Sequence, residues 1–393
     1  MFEAIEAAPP DRILSLIGLF RDDPRPGKID LGIGVYRDAA GRTPVMRAVR
    51  EAERRLYESE DTKSYLGPGG DAAYCDAVAE VVFGDALPAG RLGAAQTPGG
   101  AGALRILAGL IARARPDVTV WIPDLTWVNH ASILADARLQ TREYAYFDAA
   151  GNGVAMDAML ASLRQAAPGD VVLLHGCCHN PGGASLSDAD WEQVCDLLLE
   201  RHLVPFVDLA YQGFGDGLDQ DAHAVRLFAR RLPEMLLAVS NCKNFSIYRE
   251  RTGCAYVMAD SAARTGIALG HLLICARVSY SMPPDHGGSI VRIVLRDAAL
   301  CAGWREELES MRTRIVGLRA RLAAALAVAT DSSRYDFLLR HRGMFSLIGT
   351  SAQQAQRLRQ EHGIYIVADG RINVAGLNEA QIEPFVAALM AVR

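Results

Sequence analysis

Several features are missing from this 393-residue chain, and each absence removes a class of protein. No apolar run reaches the roughly 18–20 residues that span a bilayer. The N-terminus, MFEAIEAAPPDRIL, is acidic and has no apolar signal core, so it does not read as a secretory leader. There is no long basic run and the formal net charge is only −5, which argues against a nucleic-acid footprint of clustered Lys and Arg. The arginines between Arg312 and Arg321 are spaced as on one helix and read as a solvated face. The eight cysteines are scattered except for Cys177-Cys178. They form neither a disulfide framework nor a Cys-x-x-Cys zinc site. Cys177-Cys178-His179 is read as structural, because adjacent side chains of an extended chain point different ways. No metal site is expected, and a reducing cytoplasm fits the cysteine usage. Internal repeats and low-complexity linkers are also lacking.

What is present is an ordinary globular composition, 50% apolar and 22% charged, long enough for two domains. Short apolar runs alternate with amphipathic stretches. Val118–Ile122, Val171–Leu174, Val204–Val207 and Met235–Val239 read as buried strands. Ala101–Ala114 and Trp191–His202 read as helices, the latter with Ser187 or Asp188 as N-cap. The alternation predicts an α/β fold with a mostly parallel sheet and helices on both faces. A long helix from about Ala302 to Ala329 is followed by strands at Phe337–Leu339, Met344–Ile348 and Ile364–Val367. A closing helix spans Glu379–Val392. These elements predict a smaller α+β unit to which the loop-rich first forty residues could dock. The expected division is a large domain over 41–305 and a small domain from 1–40 and 306–393.

In a parallel sheet, ligands bind beyond the carboxyl ends of the strands. Pro123-Asp124-Leu125-Thr126-Trp127 follows the first strand, and His175-Gly176-Cys177-Cys178-His179-Asn180 follows the second. Asp208-Leu209-Ala210-Tyr211 and Ser240-Asn241-Cys242-Lys243 follow the next two. Upstream, Thr97-Pro98-Gly99-Gly100-Ala101-Gly102 opens a helix, a setting for an anion. Singly, each is more often a turn, a cap or a solvated charge. Together they make chemical sense. A lysine forms a Schiff base with an aldehyde, a carboxylate keeps a pyridinium protonated, a phenol and an amide hold a ring hydroxyl, and an arginine clamps phosphate.

The segments DLGIGVYRD, HGCCHNPGG, DLAYQGFGDG, CKNFSIYRERTG, RGMFS and GRINVAGLN resemble, in order and spacing, the class I, fold-type I aminotransferases. The resemblance covers nearly the whole chain and is nearest to the bacterial aspartate and aromatic amino acid aminotransferases. It implies a pyridoxal 5′-phosphate enzyme with a seven-stranded-type sheet and a ping-pong transfer of the amino group of an L-amino acid, aspartate or aromatic, to 2-oxoglutarate. By resemblance, Lys243 holds the cofactor and moves the proton, Asp208 faces the pyridine nitrogen with His130 behind it, and Tyr211 and Asn180 bond the ring hydroxyl. Trp127 stacks on the ring. Arg251, Ser240 and the N–H groups after Gly99 and Gly100, where Ala101 stands, bind the phosphate, with Tyr65 reaching it from a second subunit. Arg371 grips the substrate α-carboxylate, Arg277 crosses from the second subunit to a distal carboxylate, and Gly34 lines the pocket. The implied state is a cytoplasmic homodimer with small-molecule substrates and no nucleic-acid or membrane partner.

The chain departs from the family pattern at particular places. The usual Asn-Pro-Thr-Gly appears as Asn180-Pro181-Gly182-Gly183, with Gly182 in the threonine's place, Ala101 replaces a Thr or Ser, and Cys242 replaces a Ser. Met282 follows Ser281, and Ser64 precedes Tyr65. The loss at Ala101 predicts weaker cofactor retention, and Met282 suggests room for apolar side chains. Competing readings are a specialised biosynthetic aminotransferase, a lyase or decarboxylase of the same fold, and a catalytically dead binding relative. Intact Lys243, Asp208, Tyr211, Arg251 and Arg371 argue against the last.

Overall fold

The computed structural model describes residues 1–7 and 14–393; the stretch Ala8–Ile13 of the N-terminal motif lies outside the described residues. The chain divides into two compact units, one of residues 44–314 and 341–343 and one of 1–43, 315–340 and 344–393.

The larger unit is organised by a seven-stranded sheet. Its strands are β1 (Leu92–Pro98), β2 (Thr119–Pro123), β3 (Gln140–Tyr144), β4 (Val171–His175), β5 (Val204–Leu209), β6 (Met235–Ser240) and β7 (Thr252–Met258). The order across the sheet is β1-β7-β6-β5-β4-β2-β3. All neighbours are parallel except β7, which runs antiparallel to both β1 and β6. Every residue of β6 and β7 is buried, and Met235–Val239 of β6 is accordingly apolar throughout rather than alternating. The helices α1 (Ala72–Phe83), α2 (Gly99–Ala114), α3 (Asn129–Asp136), α4 (Asp188–Glu200) and α5 (Ala262–Tyr280) belong to this unit. Ser187 caps α4 in a reciprocal box with Asp190. The apolar face of α2, including Leu104, Leu107 and Ile111, packs with Val120, Leu173 and Phe206 in one core.

A 33-residue helix, α6 (Ala298–Thr330), gives its first half to the larger unit and its second half to the smaller. The smaller unit has a core of Leu318, Leu322, Leu326, Leu338, Leu358, Ile372 and Phe385. The N-terminal segment adds the helix Leu14–Asp22, and Ile29–Asp30 pairs in parallel with Ile364–Tyr365.

Three sequence readings are corrected. Phe337–Leu339 is helical, within Phe337–Arg340: three apolar residues carry no period, and here the segment closes a 3-10 turn rather than entering a sheet. The arginine stretch of α6 is not wholly solvated, because Arg319 is only 2% exposed. Its guanidinium donates to Ser346 Oγ and to the Phe345 carbonyl, each at 2.7 Å. Nor do Cys177 and Cys178 diverge. Cys178 takes a φ of +49°, and the two thiols lie with a carboxylate oxygen of Asp221 within 4.8 Å of one another.

Candidate active site

The carboxyl ends of β1, β2, β4, β5 and β6 lie along one edge of the sheet. The antiparallel β7 begins there, so Arg251, just before it, joins the same edge. Register does the rest. Gly253 pairs with Ser240 on one side and Thr97 on the other, which brings the end of β6, the start of β7 and the first turn of α2 together.

That junction has the shape of an anion cradle. Gly99 has φ +70°, the left-handed region where glycine is at no disadvantage. A Cβ built on it meets Arg251 Nη2 at 2.7 Å, and one on Gly100 meets Ser240 Cβ at 3.0 Å. Side chains at either position would fill the cradle. Arg251 Nη1 donates to Cys242 Sγ at 3.2 Å and to the Tyr248 carbonyl at 3.1 Å. Ser240 is 2% exposed and its Oγ has no hydrogen-bond partner. A buried hydroxyl of that kind calls for an acceptor or donor from outside the chain. Ala101 follows in the first turn of α2 and brings no hydroxyl.

Beside the cradle, β5 presents Asp208, 8% exposed. His130 Nε2 donates to Asp208 Oδ2 at 3.0 Å, and Thr126 Oγ1 bridges His130 Nδ1 and His175 Nε2 at 2.8 Å each. Burial pushes the Asp208 carboxyl upward, but the His130 hydrogen bond, with the nearby His130 and Lys243, outweighs it, and the group sits below its ordinary value. Asp208 is therefore an ionised carboxylate at neutral pH. His175 is pushed down to about 3 by burial and by His130, so it stays neutral. Trp127 lies edge-on to His130 with centroids 5.3 Å apart. Asn180 and Tyr211 are both buried at the ends of β4 and β5.

The chain has only three lysines, Lys28, Lys63 and Lys243. Lys28 donates to the Phe20 carbonyl at 2.6 Å and to the Asp23 carbonyl at 2.5 Å, and Lys63 pairs with Glu60 at the surface. Lys243 instead lies on the site edge, its Nζ 4.9 Å from the centroid of the Tyr211 ring. Burial lowers its pKa, against the pull of Asp208 and Cys242, and Arg251 adds to the lowering. A larger share of neutral amine, the nucleophilic form, follows.

The other expected residues lie on other elements of the chain. Tyr65 is 92% exposed, on a loop where Leu66 N donates to Met282 Sδ at 3.1 Å. Arg277 is exposed in the last turn of α5 and bonds Ser281 Oγ at 2.6 Å. Gly34 and Arg371 belong to the smaller unit. Arg371, 5% exposed, donates from Nη2 to the Gly32 carbonyl at 2.7 Å, and its guanidinium lies 4.5 Å from the centroid of Phe345. A Cβ on Gly34 would meet Phe345 Cζ at 2.8 Å. Phe345 thus stands between the two, a role the motif RGMFS contains without declaring. Thr126 and His175 were likewise passed over. Their signal was position, immediately after β2 and at the end of β4.

An ionised carboxylate, a depressed lysine, a phenol and an amide around an anion cradle form a set suited to a phosphorylated pyridine aldehyde, and the chain belongs to the class I and II aminotransferases, whose family model matches residues 26–389. It is an aminotransferase by that membership. The chain is 47% identical over 383 residues to the aromatic-amino-acid aminotransferase of Paracoccus denitrificans, covering 98% of this chain and 97% of that one. It is 42% identical to the aspartate aminotransferase of Escherichia coli K12 over the full length of both. The structure of an aromatic-amino-acid aminotransferase from Burkholderia pseudomallei covalently bound to pyridoxal phosphate superimposes with a TM-score of 0.96 at 43% identity, covering 100% of this chain and 99% of that one.

The residues present fit pyridoxal phosphate. The orphaned Ser240 hydroxyl, the Gly99-Gly100 cradle and Arg251 suit the phosphate, and Asp208 suits the ring nitrogen. Among the described residues, no helix is long and apolar enough to cross a membrane.

Proposed function

We propose that the chain transfers the amino group of aspartate and of aromatic L-amino acids to 2-oxoglutarate, using pyridoxal 5′-phosphate held at the edge formed by β4, β5 and β6. The observation that carries this is Lys243, a lysine whose pKa burial depresses, beside an ionised, histidine-backed Asp208. When bound, the cofactor supplies the electron sink for breaking a bond at the substrate α-carbon.

The chain's own residues do the rest. Arg251, Ser240 and the first N–H groups of α2 anchor the phosphate. Asp208 keeps a proton on the ring nitrogen, and His130, tied to Thr126, keeps Asp208 ionised and oriented. Tyr211 and Asn180 would hold the ring hydroxyl, and Trp127 would pack against the ring. Lys243 carries the proton at Nζ. Arg371, with Gly34 and Phe345 beside it, takes the α-carboxylate through charge-assisted, forked bonds. A ping-pong cycle follows, because one amino acid leaves as its oxo acid before the second oxo acid enters.

We place the working enzyme in a homodimer in which the partner copy supplies Tyr65 to the phosphate and Arg277 to a distal substrate carboxylate. Support comes from the 92% exposure of Tyr65, with Leu66 at 50% and Val278 at 73% also uncovered. Exposed large apolar side chains of this kind are what an interface covers. None of the eight cysteines is joined in a disulfide, which supports a cytoplasmic location.

Borohydride reduction of the cofactor-loaded protein, followed by peptide mapping, tests the lysine. The cofactor mass is expected on the Lys243 peptide alone. Labelling of Lys28 or Lys63 in its place overturns the assignment.

A further inference from the structure

Behind the turn that leads from β4 to Asn180 lies a second concentration of reactive groups that the transfer reaction does not use. Cys177, Cys178, Asp221 and His223 line a cavity of about 220 Å³. The left-handed φ of Cys178, +49°, folds the turn back so that both thiols and an Asp221 oxygen fall within 4.8 Å of one another. Gly343 has to be glycine for this to happen. It has φ +73°, and a Cβ there would meet Cys178 Cβ at 2.4 Å.

Asp221 is 6% exposed. It accepts from the N–H groups of Gly213 and Gly215 at 2.8 Å each, on Oδ2, and of Asp216 at 2.9 Å, on Oδ1. A carboxylate has about four lone-pair sites, so one on Oδ1 is left. His223 lines the same cavity. Its Nδ1 lies 3.8 Å from Asp188 Oδ1, and its Nε2 is buried with no partner. A metal-ligating histidine commonly donates its other ring nitrogen to a carboxylate; Asp188 lies close enough to His223 Nδ1 to take that place after a small shift, though at 3.8 Å it is not hydrogen-bonded to it.

We propose that Cys177, Cys178 and Asp221 form a binding site for one thiophilic divalent cation of the zinc class, with His223 Nε2 turning in as the fourth ligand. Two thiolates, one carboxylate oxygen and one imidazole nitrogen are a donor set that tetrahedral zinc accepts. Binding exchanges two thiol protons for the ion: two S–H bonds break, two metal–sulfur bonds form, two protons are released, and no electrons move. The carboxylate distinguishes this reading from a vicinal disulfide, which has no use for one. Cys178 Sγ lies 3.9 Å from the Tyr211 carbonyl oxygen, and Asn180 is two residues on from Cys178, so the ion would brace the turn that carries Asn180 against the one that carries Tyr211. The site uses no group assigned to the cofactor, and it stands or falls apart from the transfer reaction.

The test is anaerobic titration of the reduced, cofactor-loaded enzyme with cobalt(II). The readout is the long-wavelength bands of four-coordinate cobalt, where the cofactor does not absorb, followed by displacement with zinc. One cobalt per chain is expected, with the bands abolished by zinc. Cys177→Ser and Cys178→Ser should each weaken binding by more than the roughly 10–100-fold expected for loss of an outer partner, and His223→Gln by about that range or more. Cys254→Ser should leave binding intact, although its thiol lies 3.8 Å from that of Cys75. Zinc should raise the Tm of the native chain and not of Cys177→Ser. Octahedral cobalt spectra, binding that survives both Cys177→Ser and Cys178→Ser, or recovery of a Cys177–Cys178 disulfide in place of bound metal overturns the proposal. Transaminase activity lost with the metal site intact would instead count against the reading of Lys243.

Discussion

Ser240→Ala should move two properties of this protein in opposite directions. The Ser240 hydroxyl is buried without a partner, next to the position a Gly100 Cβ would occupy and one pair of strands from Arg251. In the cofactor-free chain it contributes no hydrogen bond and carries the penalty of a buried unsatisfied group, about 1–3 kcal/mol. Replacing it with methyl should leave that form at least as stable, with a Tm unchanged or higher. In the loaded enzyme the hydroxyl faces a phosphate, and a hydrogen bond to a charged group contributes about 1.5–3 kcal/mol. At about 1.4 kcal/mol per decade, the affinity for pyridoxal phosphate should fall roughly 10- to 150-fold. Equilibrium dialysis gives the affinity and thermal denaturation of the cofactor-free form gives the stability. A cofactor-free variant that is clearly less stable, with unchanged affinity, would show that Ser240 is a packing residue and that the cradle has been misread.

Further outcomes follow from the same geometry. His130→Phe removes the bond that holds Asp208 low, so burial dominates and the Asp208 pKa rises. A raised carboxyl protonates at higher pH, and the acid limb of the kcat/KM profile should move upward; an unmoved limb separates His130 from Asp208. Ala101→Thr restores a hydroxyl to the first turn of α2 and should tighten pyridoxal phosphate binding by about tenfold or more if it bonds the phosphate; unchanged affinity refutes the account of that departure. Arg319→Met strips the buried donors from Ser346 Oγ and the Phe345 carbonyl and should lower unfolding free energy by about 2–3 kcal/mol in urea, whereas a change under about 0.5 kcal/mol would return Arg319 to the surface class.

Four of the five interior strands were legible because each is a short apolar run ending in a polar turn, as in Met235–Ser240; the fifth, Thr252–Met258, was missed because it opens on Thr-Gly-Cys rather than on an apolar run. The outer ones were not legible either. Gln140–Tyr144 is exposed at four of its five positions and Leu92–Pro98 is built of small and polar residues, so neither shows a strand's apolar signature. Arg319 could have been found. Ile315, Leu318 and Leu322 are all buried on α6, and a residue four after the first of these shares their face. Cys177-Cys178 was beyond reach, since the argument for divergent side chains assumes an extended chain and nothing local announces the positive φ of Cys178. The chemistry-bearing residues were easier than the geometry around them, because parallel strands deliver Asp208, Ser240 and Lys243 to one edge. The hydrogen-bond chain from Asp208 through His130 and Thr126 to His175 depends on side-chain directions that no motif states.

The central claim is that Lys243, Asp208 and the cradle serve amino transfer from both acidic and aromatic donors. The most direct measurement is a half-reaction screen, in which single L-amino acids are added to the cofactor-loaded enzyme and the absorbance of the bound cofactor is followed. Aspartate, glutamate, phenylalanine and tyrosine should each convert the cofactor to its aminated form, and 2-oxoglutarate should reverse the change. A loaded enzyme whose spectrum none of these amino acids alters contradicts the account.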